Sequence, residues 1–370
     1  MKRISLLLLL AAGLLGSCYQ NNGAKHDSDS TSAAVTPLVS TPFFYTQLKG
    51  SMDNKPITMQ LLRTTPNAYT GYYCYDSIGM PLSLTGTGDS GLVKIYEEGT
   101  TGDNERFFSG QLTNEGTFKG VWHGDGTSHH FDLHTSMDKA IPFIVLYAMD
   151  SAKLLPGRAS SPVGTIASSM LWPDSTTAPK VADFIKAAIT GNAHTNPVAF
   201  LRKGIDSFLT SYKGAALTAD SSEFADETTF TSWNWSSDND IKVVWNKWPL
   251  LVLERYVYDF SGGAHGNWGV TYVTLDLSKQ KILRPEDIFK PAYKTQLSPL
   301  LDKAFKKKYN LSDDQPLGQN LLVQTIPPND NFIVTDKGVA FSYVPYEIGP
   351  YVLGQVTLFL PFKDLKPLLK

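Results

Sequence analysis

Residues 251–289, LVLERYVYDFSGGAHGNWGVTYVTLDLSKQKILRPEDIF, leave the chain few ways to fold. β-Branched and aromatic residues run up to Phe260, break at Gly262-Gly263-Ala264-His265-Gly266, and resume from Trp268 to Leu277. Two such runs joined by a glycine-rich break predict a β-hairpin. A second turn at Ser278-Lys279-Gln280 leads into Leu283-Arg284-Pro285-Glu286-Asp287-Ile288-Phe289. Pro285 suits the first position of a short helical turn, and the two carboxylates fall at its positive end.

Around this hairpin the pattern changes from one block to the next. Val181, Phe184, Ile185, Ala188 and Ile189 recur at helical spacing after Pro179 and stop at Gly191. Asn196-Pro197 supplies the cap and first residue of a second helix, whose apolar stripe is Val198, Leu201, Ile205, Phe208, Leu209 and Tyr212 and whose end is Gly214. A third helix over 298–309 turns Leu300, Leu301, Ala304 and Phe305 inward and carries Lys306-Lys307-Lys308 at its negative end. Strands are expected at 141–146, 166–171, 241–248, 250–260, 268–277, 332–335, 339–343 and 352–360, the later ones forming one sheet. The whole reads as an α+β domain over 140–370 with helices packed on an antiparallel sheet.

Residues 43–139 show no helical period. Short alternating runs such as Ile57-x-Met59-x-Leu61, 69–75, 92–96 and 107–112 are separated by turn signals, among them Thr65-Pro66-Asn67 and Asn114-Glu115-Gly116. That spacing predicts an all-β antiparallel meander. Gly71, Gly110 and Gly120 near strand centres predict strong curvature, hence a curled sheet or small barrel.

The chain opens with Met1-Lys2-Arg3, an apolar run over 4–15 and Gly16-Ser17-Cys18, the order of a secretory signal peptide over 1–17. The apolar run is too short to span a bilayer. Leu15-Gly16-Ser17-Cys18 is similar to the bacterial lipobox, which implies lipid attachment at Cys18. Residues 18–42 are polar and small, as expected of a flexible tether. The expected location is the cell envelope, at the periplasmic face of the outer membrane, because no acidic cluster of the surface-export kind follows Cys18. Only Cys74 remains as a thiol, so no internal disulfide is available. A net charge of -2 with dispersed basic residues argues against a nucleic-acid partner, and no motif calls for a cofactor.

Three stretches together resemble a known domain: Gly262-Gly263-Ala264-His265-Gly266, the Asp276 to Lys281 turn with the Leu283-x-x-Glu286-Asp287-Ile288-Phe289 ending, and FSYVPYEIGPY at 341–351 with Gly354 after it. The chain from about 180 onward resembles an extracytoplasmic domain of unknown function. That domain occurs in the non-catalytic part of some peptidoglycan deacetylases and in the lysozyme-sensing ectodomain of an anti-sigma factor. The resemblance implies a binding role toward a lysozyme-like, peptidoglycan-active protein or toward peptidoglycan, with no catalytic residue. The Thr-Phe-Asp-Asp-type deacetylase motif is absent from the sequence, and a lipid anchor leaves no cytoplasmic segment to hold a sigma factor.

Candidate binding residues are Gly262, Gly263, His265, Trp268, Tyr346 and Glu347. His265 serves either a ligand contact or the capping of a neighbouring loop. The alternative is a cell-wall glycan hydrolase or deacetylase. A pair drawn from Glu254, Asp259, Asp276, Glu286, Asp287 and Glu347 would serve hydrolysis. The stretch WHGDGTSHHFDLH offers His123, His130, Asp132 and His134 as a zinc set. Two-residue steps of about 7 Å along a strand bring such ligands together poorly, and solvent-facing positions explain the same residues. Trp233, Trp235, Trp245, Trp248 and Trp268 fit either a binding surface or a seam between elements.

Overall fold

A computed structural model describes residues 38–100, 102–219, 224 and 227–370, so the expected signal peptide, Cys18 and most of the tether lie outside the described residues. The first body is a closed antiparallel barrel of β1 (Phe44–Met52), β2 (Lys55–Thr65), β3 (Ala68–Tyr75), β4 (Leu82–Asp89), β5 (Leu92–Glu97), β6 (Phe107–Leu112), β7 (Thr117–Gly124) and β8 (Thr127–Thr135). Each strand pairs with the next, and β8 returns to β1 with Gly50 opposite Leu133. Closure removes the free edges that an open meander would expose. The strand missing from the sequence expectation is β1, whose FYTQLKGSM mixes polar and apolar residues without clean alternation.

Curvature is enforced where Gly110 and Gly120 face one another across β6 and β7. A Cβ on Gly110 would lie 2.3 Å from the Lys119 carbonyl oxygen. Leu48, Met59, Leu61, Ile95, Phe108, Phe118 and Phe131 fill the barrel core. One carboxylate, Glu97, is buried with them and accepts hydrogen bonds from Tyr73 Oη at 2.5 Å and Trp122 Nε1 at 2.9 Å. The last residues of the expected tether belong to this body: Leu38 is buried in the barrel core, and Ser40 bonds to Asn114.

The second body begins with β9 (Phe143–Lys153) and β10 (Val163–Pro173), followed by α1 (Pro179–Thr190) and α2 (Pro197–Ala215). It continues through β11 (Ser236–Lys247), β12 (Leu250–Phe260), β13 (Asn267–Asp276) and the short β14 (Lys281–Ile282). These strands form one sheet in the order β14-β13-β12-β11-β10-β9. It is antiparallel except between β10 and β11. The two-helix crossover carries the chain back to the end where β10 started, which a parallel pair requires. Ile185, Ile189, Leu201, Ile205 and Leu209 press onto one sheet face, and Asn196 caps α2 through Ala199 N at 3.0 Å.

After α3 (Pro285–Ile288) comes α4 (Tyr293–Lys308), then β15 (Phe332–Val334), β16 (Gly338–Tyr343), β17 (Val356–Pro361) and α5 (Phe362–Leu365). The last three strands make a separate sheet, not an extension of the first as the sequence suggested. The reason lies at the outer edge of β13. Asn331 Oδ1 accepts from Tyr272 N at 2.8 Å, while Asn331 Nδ2 and Gln355 Nε2 donate to Val270 O at 2.9 and 3.0 Å. Side-chain amides thus occupy ladder positions that another strand would need. The α4 helix starts five residues earlier than expected and holds Pro299 in its interior. Its buried stripe is Tyr293, Leu297, Leu301 and Phe305.

The barrel packs on the other face of the six-stranded sheet. Tyr72 and Cys74 meet Val244, Trp245, Val252, Ile333 and Ala340 there. At the centre lies Glu254, 2% exposed, which accepts from Tyr72 Oη and pairs with Lys242 at 3.2 Å. Tyr272 Oη, 3.3 Å from Tyr72 Oη, donates to it in turn, because the Tyr72 proton is directed at Glu254. Burial, then the Glu254 charge, pushes both tyrosine hydroxyls upward. Burial works against the Lys242 charge, yet Glu254, Glu98 and Asp240 outweigh it and raise its pKa. Beside this group Asn246 donates to Tyr45 Oη (2.9 Å) and Ile141 O (2.8 Å), and Gln47 Nε2 donates to Asn246 O (2.7 Å).

Removing one member of such a pair strands a charge in the seam. Lys242→Met is expected to cost about 3–5 kcal/mol in urea denaturation, and Lys242→Met with Glu254→Leu to recover most of it. Because the folded pKa of Lys242 is raised, the pair's contribution is complete below the unfolded lysine value of about 10.4 and is lost as pH rises through the higher folded value. Equal stability of the single and double variants would sink this account.

Candidate functional site

The sheet face that the barrel covers at one end continues toward the hairpin tip, where it opens progressively to solvent. Strand register defines its rows, since residues directly paired across a sheet share a face. One row runs Tyr147, Ser169, Asp240, Tyr256, Val270; the next runs Met149, Ala167, Asp238, Tyr258, Trp268. Five strands give a width of about 19 Å. Met149 is 59% exposed and Asp238 is also exposed; Tyr147, Ala167, Asp240, Tyr256, Tyr258 and Trp268 are half-buried, and Ser169 and Val270 are buried. Phe43 stacks on Tyr147 from the barrel side, with ring centroids 5.5 Å apart.

The two aspartates are held in different ways. Asp240 accepts from Ser169 Oγ at 2.5 Å. Burial, then the charges of Asp240 and Asp259, raises the Asp238 pKa. Burial, then the charges of Asp240 and Asp238, raises the Tyr147 hydroxyl, and burial followed by Asp238 does so at Tyr256. Lys242, two residues along β11 from Asp240, is committed to Glu254. The face therefore carries negative potential between aromatic rings.

Of the candidate binding residues Trp268 belongs to this face, and the others lie in the β12–β13 loop and the 344–354 loop. Gly262 and Gly263 adopt left-handed φ of 97° and 96° in the loop between β12 and β13. A Cβ on Gly262 would come 2.8 Å from Ser232 O, so the turn needs both the backbone freedom and the close approach. Gly266 is required for another reason: a Cβ there would strike the Tyr258 ring at 2.5 Å. His265 Nδ1–H donates to Gly266 O at 2.9 Å, and Tyr351 Oη donates to the same carbonyl at 2.9 Å. The imidazole stacks on Tyr351 with centroids 4.3 Å apart, and Tyr346 follows at 5.6 Å. Trp268 sits 6.5 Å from Tyr256, and Gly354, at a left-handed φ of 66°, lies beside its indole. Glu347 braces that loop, accepting from Asn329 Nδ2 at 2.7 Å and Val344 N at 3.0 Å.

Sequence reasoning missed Asp238, Asp240, Tyr256, Tyr258 and Tyr147. The signal was present in the period-two spacing of Asp238 and Asp240 and of Tyr256 and Tyr258. Only the register of the strands puts them opposite each other.

The other candidates are placed elsewhere. His130, Asp132 and His134 alternate outward on β8, with His134 Nε2 2.8 Å from Asp132 and Lys119 3.0 Å from it. His123 bonds instead to Ser128 at 3.0 Å. Among the described residues no group of three His, Cys, Asp or Glu side chains converges to hold an ion. Of the carboxylates, Glu254 lies in the seam, Asp276 caps the Ser278-Lys279 turn, Asp287 caps Arg284 N and Glu286 accepts from Tyr293. Burial drives the Cys74 thiol up to about 12. Trp245 is buried in the seam, while Trp233 and Trp235 stack near Tyr212 of α2.

A β-barrel joined to an α+β body, with a broad surface as its candidate site, is the class that these features define. Residues 286–363, which hold α4 and the three-stranded sheet, match a family model described as protein of unknown function, DUF3298. The chain is similar in fold to a crystal structure of a DUF3298 family member from Bacteroides fragilis. That protein is 22% identical over 63% of this chain and 94% of its own length, with a TM-score of 0.57. A DUF3298 family protein from Pseudomonas aeruginosa is 21% identical over 64% of this chain and 97% of its own, with a TM-score of 0.44. No curated protein matches the chain.

The turn geometry separates two glycines that look alike in sequence. Gly263→Ala meets only the strain of positive φ, about 1–3 kcal/mol, whereas Gly262→Ala adds the collision with Ser232 O. Hydrogen exchange at the hairpin tip is expected to accelerate more in Gly262→Ala than in Gly263→Ala. The reverse order would refute the reading of this turn.

Proposed function

We propose that this protein is a non-enzymatic, lipid-anchored envelope protein that binds a peptidoglycan-active protein of the lysozyme kind at the open sheet face. In this reading acylation at Cys18 anchors it to the outer membrane, with the folded body in the periplasm. The observation that carries it is the pair Asp238 and Asp240 set among Tyr147, Tyr256, Tyr258 and Trp268. Two neighbouring carboxylates favour a basic partner, and flat rings beside them accept lysine or arginine side chains on their faces. The likeness of the hairpin and the 341–351 loop to deacetylase-associated and lysozyme-sensing domains supports the same class of partner. Peptidoglycan, which would stack sugars on the same rings, is the competing ligand.

Calorimetric titration of the purified protein with lysozyme and, separately, with soluble muropeptides tests this. Binding of lysozyme is expected to weaken at least tenfold in Asp238→Asn/Asp240→Asn, a loss of about 1.4 kcal/mol or more. It should also weaken as pH falls, beginning above the usual carboxylate range, because the Asp238 pKa is raised and protonation removes its charge. Affinity for muropeptides that survives the double substitution, with none for lysozyme, would move the assignment to peptidoglycan. No binding of either would overturn it.

A further inference from the structure

A second site lies in the seam, away from the open face. A cavity of about 230 Å³ is lined by residues of the barrel and of both sheets: Gln47, Lys49, Thr58, Gln60 and Asp76 from the barrel, Trp245 to Lys247 from β11, and Asp336 and Lys337 from the β15–β16 turn. Gln47, Gln60, Trp245 and Asn246 are between 1% and 7% exposed, while Lys247, Lys337 and Asp76 are open to solvent. The cavity thus has a neutral polar floor and a charged rim.

Hydrogen bonding at this floor is incomplete. Among the described residues five buried side-chain atoms lack a partner, and three of them, Gln47 Oε1, Trp245 Nε1 and Asp336 Oδ1, belong to residues lining this cavity. The Gln47 orientation is fixed, because Asn246 O needs the Nε2 donor, which leaves the carbonyl end unmatched. A buried acceptor or donor without a partner costs about 1–3 kcal/mol, so clustered orphans call for a group that supplies the missing bonds. The unmet set is two acceptors and one donor.

The rim adds charge of both signs. Lys247 donates to Asp336 Oδ2 at 2.5 Å, and Lys337 is 3.9 Å from the same oxygen. Lys49 makes only a 3.4 Å contact with Asp138 O, and Asp76 bonds to Thr58 Oγ1 at 2.8 Å. A ligand that matches must carry an anionic group for Lys49 and Lys337, N–H or O–H donors for Gln47 and the aspartates, and an acceptor for the indole N–H. At about 30 Å³ per water the cavity holds the volume of roughly seven or eight waters.

We infer that this seam cavity binds a free zwitterionic amino acid with a short polar side chain. Its carboxylate lies toward Lys49 and Lys337, its ammonium toward Asp336 and Asp76, and its side chain over the Gln47 and Trp245 floor. The ligand would touch the barrel and both sheets, so its binding would tie these elements together.

The test is thermal unfolding of the full-length protein with each of the common free amino acids, in L and D forms, at millimolar concentration, followed by calorimetry on any that act. A ligand at about one hundred times its Kd is expected to raise Tm by roughly 3–6 °C. The shift should disappear in Lys49→Met and in Lys337→Met, both at the rim, with circular dichroism and unliganded Tm confirming that each variant is folded. No shift from any amino acid would mean that the cavity holds water only and would overturn the proposal. So would a shift that persists in both variants, since the ligand would then be bound elsewhere. Neither outcome bears on the open sheet face, whose residues are absent from this cavity.

Discussion

The structure depends on one carboxylate that has been taken out of water. Glu254 lies in the middle of β12, on the face that the barrel covers, and an unpaired charge there would oppose the packing of the two bodies. Lys242 answers it from the adjacent strand, Tyr72 from the barrel, and Tyr272 through Tyr72. Each partner comes from a different strand, so the group is satisfied only when barrel, β11, β12 and β13 are all in register. Hydrophobic contact between Tyr72, Cys74, Val244 and Val252 supplies attraction that tolerates sliding. The ion pair with its hydroxyls does not tolerate it, which is how a polar group can specify an arrangement that apolar burial merely favours.

The same strands explain why a binding surface exists where it does. On β12 the residues of one face are Val252, Glu254, Tyr256 and Tyr258 in order, and on β11 they are Lys242, Asp240 and Asp238. The barrel covers Glu254 and Lys242, and beyond them Phe43 reaches only Tyr147 at the edge of the next row. Beyond that point the rows open to solvent at Met149 and Asp238 but keep the composition of a seam, aromatic rings interleaved with carboxylates. A face built like an interface and left open is the feature that most needs a partner. The glycine turn at its end is stiffened by the His265 and Tyr351 stack, so the surface is held in shape before anything binds it.

Much of this was legible in the sequence because local rules acted without contest. Turn residues and alternation marked seven of the eight barrel strands, and Asn196 with Pro197 marked the start of α2. The glycines at 262 and 263 announced their turn, and Gly262 needed its φ as well as its lack of a Cβ. What escaped was non-local. Nothing along the chain says that β10 and β11 run parallel, or that Asn331 and Gln355 close the edge of β13 and so divide one expected sheet into two. The histidine run shows the opposite failure. His123, His130 and His134 are close in sequence, but on β7 and β8 they are drawn to Ser128, to Asp132 and to solvent, since alternation spreads the residues of one face along the strand.

Asp238 and Asp240 gather these threads. They escaped notice because each is an ordinary polar residue at an ordinary strand position, and their significance arises only from what stands opposite. Pairing Asp240 with Tyr256 and Asp238 with Tyr258 places negative charge beside aromatic rings. A folded protein selected for stability alone would relieve such a pair by a basic neighbour or by substitution. Here the nearest lysine on the face is already held by Glu254, and burial, then the charges of Asp240 and Asp259, raises the Asp238 pKa. The arrangement is costly in the isolated chain and becomes favourable when positive charge arrives from outside.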